Sequence, residues 1–198
     1  MFINEGQKIA LIARNGTGKT TLLQVIAGLE GSEGENAKIQ FKKDLRIEYL
    51  TQEPEFNPEH TVMDAIFASE NPVLQAVKEY ESALLHPENE DRMQKAMNKM
   101  EDHEAWDMES KVKEILTKLK IGDFELQVKN LSGGQVKRLA LAKVLISEPE
   151  LLILDEPTNH LDMEMIEWLE NYLQHPGLTL LLVTHDRYFL ENVCNQIL

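Results

Sequence analysis

Residues 151–162, LLILDEPTNHLD, set four apolar side chains directly before two adjacent carboxylates, Asp155 and Glu156. The apolar run is too short for a helix and reads as a buried strand. Pro157 has no N–H to donate, so ladder pairing stops there. In an open α/β sheet, ligands sit beyond the carboxyl ends of the strands, which is where this pair falls. Neighbouring like charges oppose each other's ionisation unless a cation or oriented donors compensate. A magnesium ion is such a cation, which raises the question of a phosphate cradle elsewhere in the chain.

Residues 13–20, ARNGTGKT, supply one. They match every fixed position of G-x-x-x-x-G-K-[ST] except the first, where Ala13 stands in place of glycine. Gly16 and Gly18 let the backbone curl so that successive N–H groups face inward as an anion nest. The helix predicted from Lys19 (KTTLLQVIAGL) directs its positive end at the same point. Lys19 is placed to reach the β- and γ-phosphates, and the Thr20 hydroxyl to ligate Mg2+. A plain glycine turn before a helix is the alternative. A strand before, a helix after and a carboxylate strand downstream weigh against it. Ala13 adds a Cβ where backbone approach is usually close.

A third block, LSGGQ at residues 131–135, precedes a helix whose apolar face holds Leu139, Ala142, Val144 and Leu145. Ser132 suits the N-cap, and two glycines leave the helix start open to an anion. One nucleotide does not need two such ends. This one is therefore expected to face the phosphates of a second molecule or domain.

The elements that must position these groups follow from periodicity. Residues 7–13 (QKIALIA) and 178–184 (LTLLLVT) read as buried strands, and 37–41 and 45–50 as shorter ones around a turn at 42–44. Between Gln52 and Leu131 helices dominate. Thr61 with Asp64 forms a capping pattern. Pro72 opens a helix with Val73, Val77, Tyr80 and Leu84 on one face, ended by Pro87. A second helix spans about 88–106 with Met93, Met97 and Met100 aligned, and a third spans 109–119. The methionine stripe reads as hairpin core rather than a partner surface. Trp168 is expected in helix core, and Phe2, Tyr188 and Phe189 in packing.

With 198 residues the chain suits one domain with a sizeable core. Twenty basic and 34 acidic residues give a formal charge of −14. Such a surface is not built for nucleic-acid phosphates, so any RNA contact must come from local patches or other segments. Residues 70–118 alone carry twelve acids against seven bases, a solvated face rather than an RNA clamp. A single cysteine, Cys194, forbids an intrachain disulfide, suits a reducing cytosol, and reads as an apolar filler. No signal peptide and no apolar run long enough to span a bilayer is visible, so no direct membrane insertion is expected.

ARNGTGKT, LSGGQ, LLILDE and VTHD, in that order, resemble the nucleotide-binding domain of the ABC ATPase superfamily. EPTNHLD followed by VTHDRYFL is similar, within it, to the ABC-F family of tandem ABC proteins, which act on ribosomes. The resemblance covers essentially the whole chain. It implies an α/β fold of P-loop NTPase type. A mostly parallel central sheet is flanked by helices, beside a small antiparallel β part and an α-helical subdomain with a helical-hairpin arm. It implies one N-terminally truncated domain over 1–198, with an ATPase core at 1–52 and 121–198. The helical subdomain falls at 53–120 and the arm at about 72–106. The family's adenine-stacking aromatic lies upstream of the phosphate loop and has no counterpart here, which predicts weak ATP binding. The last residues are expected to stop short of a closing strand.

The same resemblance assigns roles. Ala13, Arg14, Asn15, Gly16, Thr17, Gly18, Lys19, Thr20 and Thr21 would bind ATP. Thr20, Gln52 and Asp155 would hold Mg2+, Asp155 through water. Glu156 would be the general base, His185 the γ-phosphate sensor, and Lys19 a stabiliser of transition-state charge. Ser132, Gly133, Gly134 and Gln135 would meet the opposite nucleotide, and the loop to Asp162 would lie at the interface. His160 has no His or Cys partner at ligand spacing and reads as an interface or capping residue. The implied activity is Mg-dependent ATP hydrolysis that opens and closes paired ABC domains in a cytoplasmic, ribosome-associated factor. Rival readings are the motor subunit of a membrane transporter, or a nucleotide-gated module with vestigial hydrolysis.

Overall fold

Central parallel strands are buried on both faces and so read as unbroken apolar runs. Five short segments pair, and the three central ones meet that condition. In the computed structural model, which describes residues 2–12, 17–31, 39–69 and 71–198, they form one sheet. The strands are β1 (Lys8–Ala10), β2 (Ile47–Leu50), β3 (Leu151–Asp155), β4 (Thr179–Val183) and β5 (Gln196–Ile197). Their order is β2-β3-β4-β1-β5, and every pairing is parallel. All residues of β3 and β4 are buried.

Register fixes which side chains share a face. Tyr49 stands opposite Ile153, Ile153 opposite Leu181, and Leu181 opposite Ile9. On this face α1 (Lys19–Ile26) packs Leu23 and Ile26 against Ile9, Ile153, Leu181 and Val183. The alternate residues Leu152, Leu154, Leu180 and Leu182 are equally buried. Helices α7 (Met163–Leu173) and α8 (Arg187–Val193) pack together and bury Met165, Leu169, Leu173, Phe189 and Leu190. These elements belong to a compact unit of residues 1–54 and 148–198.

Residues 55–147 form a second compact unit. Its helices are α2 (Val62–Ile66), α3 (Pro72–Leu84), α4 (Glu90–Asp102), α5 (Trp106–Lys118) and α6 (Gly133–Ile146). Thr61 and Asp64 close a reciprocal capping box on α2. Pro72 begins α3 behind an Asn71 cap. Helices α3 and α4 run antiparallel: Lys99 meets Glu79 at 2.6 Å, and Arg92 reaches back to Ser82. Glu81, only 6 % exposed, is joined to α5 by Lys113 at 3.3 Å. Lys113 also pairs with Glu109, and that bond, with the Glu81 charge, holds its pKa above the usual lysine value. Tyr80 and Trp106 meet edge to face with centroids 5.1 Å apart.

The compact unit 55–147 includes α6, which packs on α2 and α5. Several expectations are corrected. Residues 39–41 form no strand, and 37–38 lie outside the described residues, so the small antiparallel β part is not seen among the latter. The final residues do form a strand, β5, on the free edge of β1. The buried face of α3 is Leu74, Val77 and Glu81, while Leu84 is exposed. In the methionine stripe Met100 is buried but Met97 is exposed; Ala96 takes the inward position beside it. Phe2 and Tyr188 are 91 % and 82 % exposed, so neither packs. Trp168 is half-buried and rests on Tyr172.

Candidate functional site

A parallel sheet delivers all its strand ends to one edge, and the expected residues arrive there together. Gly18, at the head of α1, has φ of 84°, which a side chain would oppose, although a Cβ there would meet no neighbour. That backbone sets Lys19 and Thr20 in the first helical turn. The Thr20 hydroxyl donates to Asp155 Oδ2 at 3.0 Å. Gly18, Lys19, Thr20, Thr21, Gln52, Asp155, Glu156, Asn159 and His185 line one open cleft of about 640 Å³. That volume lies within the range of small-ligand sites. Residues 13–16 lie outside the described residues.

Glu156 follows β3 in left-handed backbone, φ 52°, an uncommon state for a side chain and one found disproportionately at functional sites. Its N–H donates to the Val183 carbonyl at 2.8 Å, which locks the end of β3 to β4. The carboxylate is largely buried. Oε2 accepts from the His185 N–H at 3.3 Å and, at 3.5 Å, from the Thr184 hydroxyl. Oε1 lies 3.5 Å from His185 Nε2, and the imidazole itself is 64 % exposed. Carboxylate and imidazole thus face the cleft as a pair, one held by the fold and the other open to solvent.

Asp155 is 4 % exposed. From the sheet side it shares a face with Tyr49, whose buried hydroxyl makes no hydrogen bond of good geometry but lies close enough to interact with the Asp155 carboxylate. Burial, helped by the negative charge of Asp155, pushes the Tyr49 pKa up to about 12. Sequence reasoning passed over Tyr49. The signal was present, since strand alternation in IEYL puts Tyr49 on the face that Asp155 shares through the β2–β3 register.

The donor set fits a magnesium ion. Among the described residues no group of three or more His, Cys, Asp or Glu could hold a metal. A hydroxyl (Thr20), a buried carboxylate (Asp155) and an amide (Gln52) instead border the same cleft. Few carboxylates, completed by water and substrate phosphate oxygens, is the pattern Mg2+ prefers over an all-protein cage.

The LSGGQ segment belongs to the second unit. Ser132 caps α6, its Oγ accepting from the Gln135 N–H at 3.3 Å, while Gln135 Oε1 accepts from the Ser132 N–H at 2.8 Å. Ser132 and Gly133 are exposed, so this helix start is open to an incoming group. Asp162 caps α7 by accepting from the Met165 N–H, and the preceding His160 has φ of 68°.

A family model described as ABC transporter matches residues 1–159. The chain belongs to the ABC transporter family. It is therefore an ABC ATPase domain, with the phosphate-loop helix, the strand-end carboxylates and the histidine gathered at one sheet edge. It is similar to the uncharacterized ABC transporter ATP-binding protein YfmR of Bacillus subtilis (strain 168). Identity is 50 % over 204 residues, covering 98 % of this chain and 32 % of YfmR. The energy-dependent translational throttle protein EttA of Escherichia coli (strain K12) is 37 % identical over 201 residues, 98 % of this chain and 36 % of EttA. Among solved structures, the archaeal ribosome recycling factor aABCE1, in complex with the ribosomal stalk protein aP1, superposes with a TM-score of 0.68. Its identity is 26 %, over 98 % of this ABC domain and 32 % of that chain. The chain spans about a third of the length of the curated relatives it matches. No helix among the described residues is long and apolar enough to cross a membrane.

Proposed function

We propose that this chain is one ATP-hydrolysing ABC domain of a tandem, ABC-F-type cytoplasmic factor that works on the ribosome. The observation carrying the chemistry is the pairing of Glu156 with His185 beside the Thr20–Asp155 contact, in one cleft. Residues 13–21 bind the triphosphate, and Lys19 neutralises its outer oxygens. Thr20, Asp155 and Gln52 hold Mg2+, which when bound neutralises phosphate charge. Glu156 accepts the proton of the attacking water, and His185 marks the γ-phosphate position from the other side of that carboxylate.

Ser132, Gly133, Gly134 and Gln135 meet the nucleotide of a second ABC domain, and the loop ending at Asp162 lies in the same interface. The exposed α6 start supports that assignment. Only a γ-phosphate reaches both domains, so ATP favours the closed pair and hydrolysis releases it. The ribosomal setting rests on the names of relatives, a translational throttle protein and a ribosome recycling factor. Coverage of a third of those relatives leaves room for a second ABC domain in the parent protein.

Glu156→Gln in the full-length parent tests the reading. Phosphate release should fall by about 10²–10⁴-fold. ATP binding should persist and a closed, ATP-loaded state should accumulate on ribosomes in a pelleting assay. Multiple turnover near the parental rate would remove Glu156 as the base.

A further inference from the structure

We propose that Tyr49 is a positioning residue for the Asp155 carboxylate, bracing it from the sheet side while Thr20 holds it from the helix side. This rests on the assignment of Asp155 to the magnesium site. Tyr49 pairs in register with Ile153, so its side chain leaves the same face as Asp155, two residues further along β3. A diagonal neighbour on an adjacent strand is within reach of an aromatic side chain, and side chains on strands lean along the strand. The ring packs against the cluster of Ile153, Leu181 and Val183, and the hydroxyl lies near enough to Asp155 to interact with its carboxylate.

Packing alone does not explain a tyrosine. Phenylalanine fills the same volume without burying a hydroxyl, and the Tyr49 hydroxyl makes no hydrogen bond of good geometry apart from its approach to Asp155. A buried donor beside a buried carboxylate has one economical use, to donate to it. Asp155 has lone pairs left after accepting from Thr20 at 3.0 Å. Once Asp155 turns toward a cation bound with Thr20, the phenol O–H holds the carboxylate in that orientation. Outer-shell partners of this sort orient metal-ligating groups, and their loss typically weakens metal binding about 10–100-fold.

The test is Tyr49→Phe in the full chain, read by three measurements. These are fluorescent-nucleotide affinity without metal, the Mg2+ concentration that half-saturates the metal-dependent gain in affinity, and the electron paramagnetic resonance spectrum with Mn2+ and nucleotide. The expected result is a half-saturation raised on the order of 10-fold, an altered Mn2+ spectrum and unchanged metal-free affinity. Asp155→Asn, run alongside, should abolish the metal dependence. If it does while Tyr49→Phe leaves half-saturation and spectrum at parental values, the role of Tyr49 is overturned and the metal site stands. If Asp155→Asn keeps full metal dependence, the site assignment fails and the inference with it. Tyr49→Leu guards against a folding artefact. A variant that loses thermal stability while Tyr49→Phe is silent on the metal assigns Tyr49 to packing and overturns the proposal.

Discussion

At the scale of single residues, burial sets the chemistry available to each group. Cys194 is half-buried, and desolvation pushes its thiol up to about 11, because the charged thiolate is the form that burial disfavours. The reactive thiolate is then about a thousandth of the population at pH 8, against about a tenth for a thiol at its ordinary value. Ellman's reagent should react slowly at pH 8 and speed up about tenfold per pH unit to pH 10, without a plateau. A rate that levels off between pH 9 and pH 10 would show an ordinary, exposed thiol. The chemistry-bearing residues were legible as types and spacings: Lys19, Thr20, Asp155, Glu156 and His185 meet at one cleft, as the motif order implied. Glu156 in left-handed backbone was not legible. Nothing in DEP announces it, since it arises from locking one strand end to its neighbour.

Helices of the second unit show what local sequence decides and what packing overrides. The Thr61–Asp64 box was readable because caps involve residues three apart. Inward faces were read less well. Helical period alone favoured Leu84 and Met97, yet the α3–α4 contact turns Leu74, Val77, Ala96 and Met100 inward. The break between α4 and α5 falls at Glu104, whose φ of 50° lets the Ala105 N–H reach the Met100 carbonyl at 2.9 Å. Glycine usually marks such a stop, and its absence hid the boundary. Asp64 carries the prediction at this scale. The Lys78 ammonium at 2.9 Å, with the Thr61 donors, holds its pKa below the ordinary 3.8. A depressed carboxylate stabilises fully above its unfolded value, and that support is lost as pH falls through the folded value. Asp64→Ala should therefore cost about 1 kcal/mol in urea denaturation at pH 7, with the gap narrowing as pH falls below the ordinary 3.8. A gap independent of pH would assign the loss to packing.

Over the whole molecule, charge and topology act together. A formal charge of −14 on 22.7 kDa repels itself. Raising sodium chloride from about 20 mM to about 500 mM shortens the screening length severalfold and should raise the melting temperature by a few degrees, read by circular dichroism. A fall would mean that attractive pairs outweigh the repulsion. The fold class was legible because strands and helices alternate; the β5 edge was not, since two paired residues give no periodic signal. The strand order carries a further consequence. Among the described residues β1 pairs only with β4 and β5, both within residues 179–198, although it precedes the phosphate-loop motif near the start. During synthesis β1 therefore waits about 170 residues for its sheet neighbours. The edge that β1 shares with the cleft is expected to assemble only after Thr179 and the residues beyond it have left the exit tunnel.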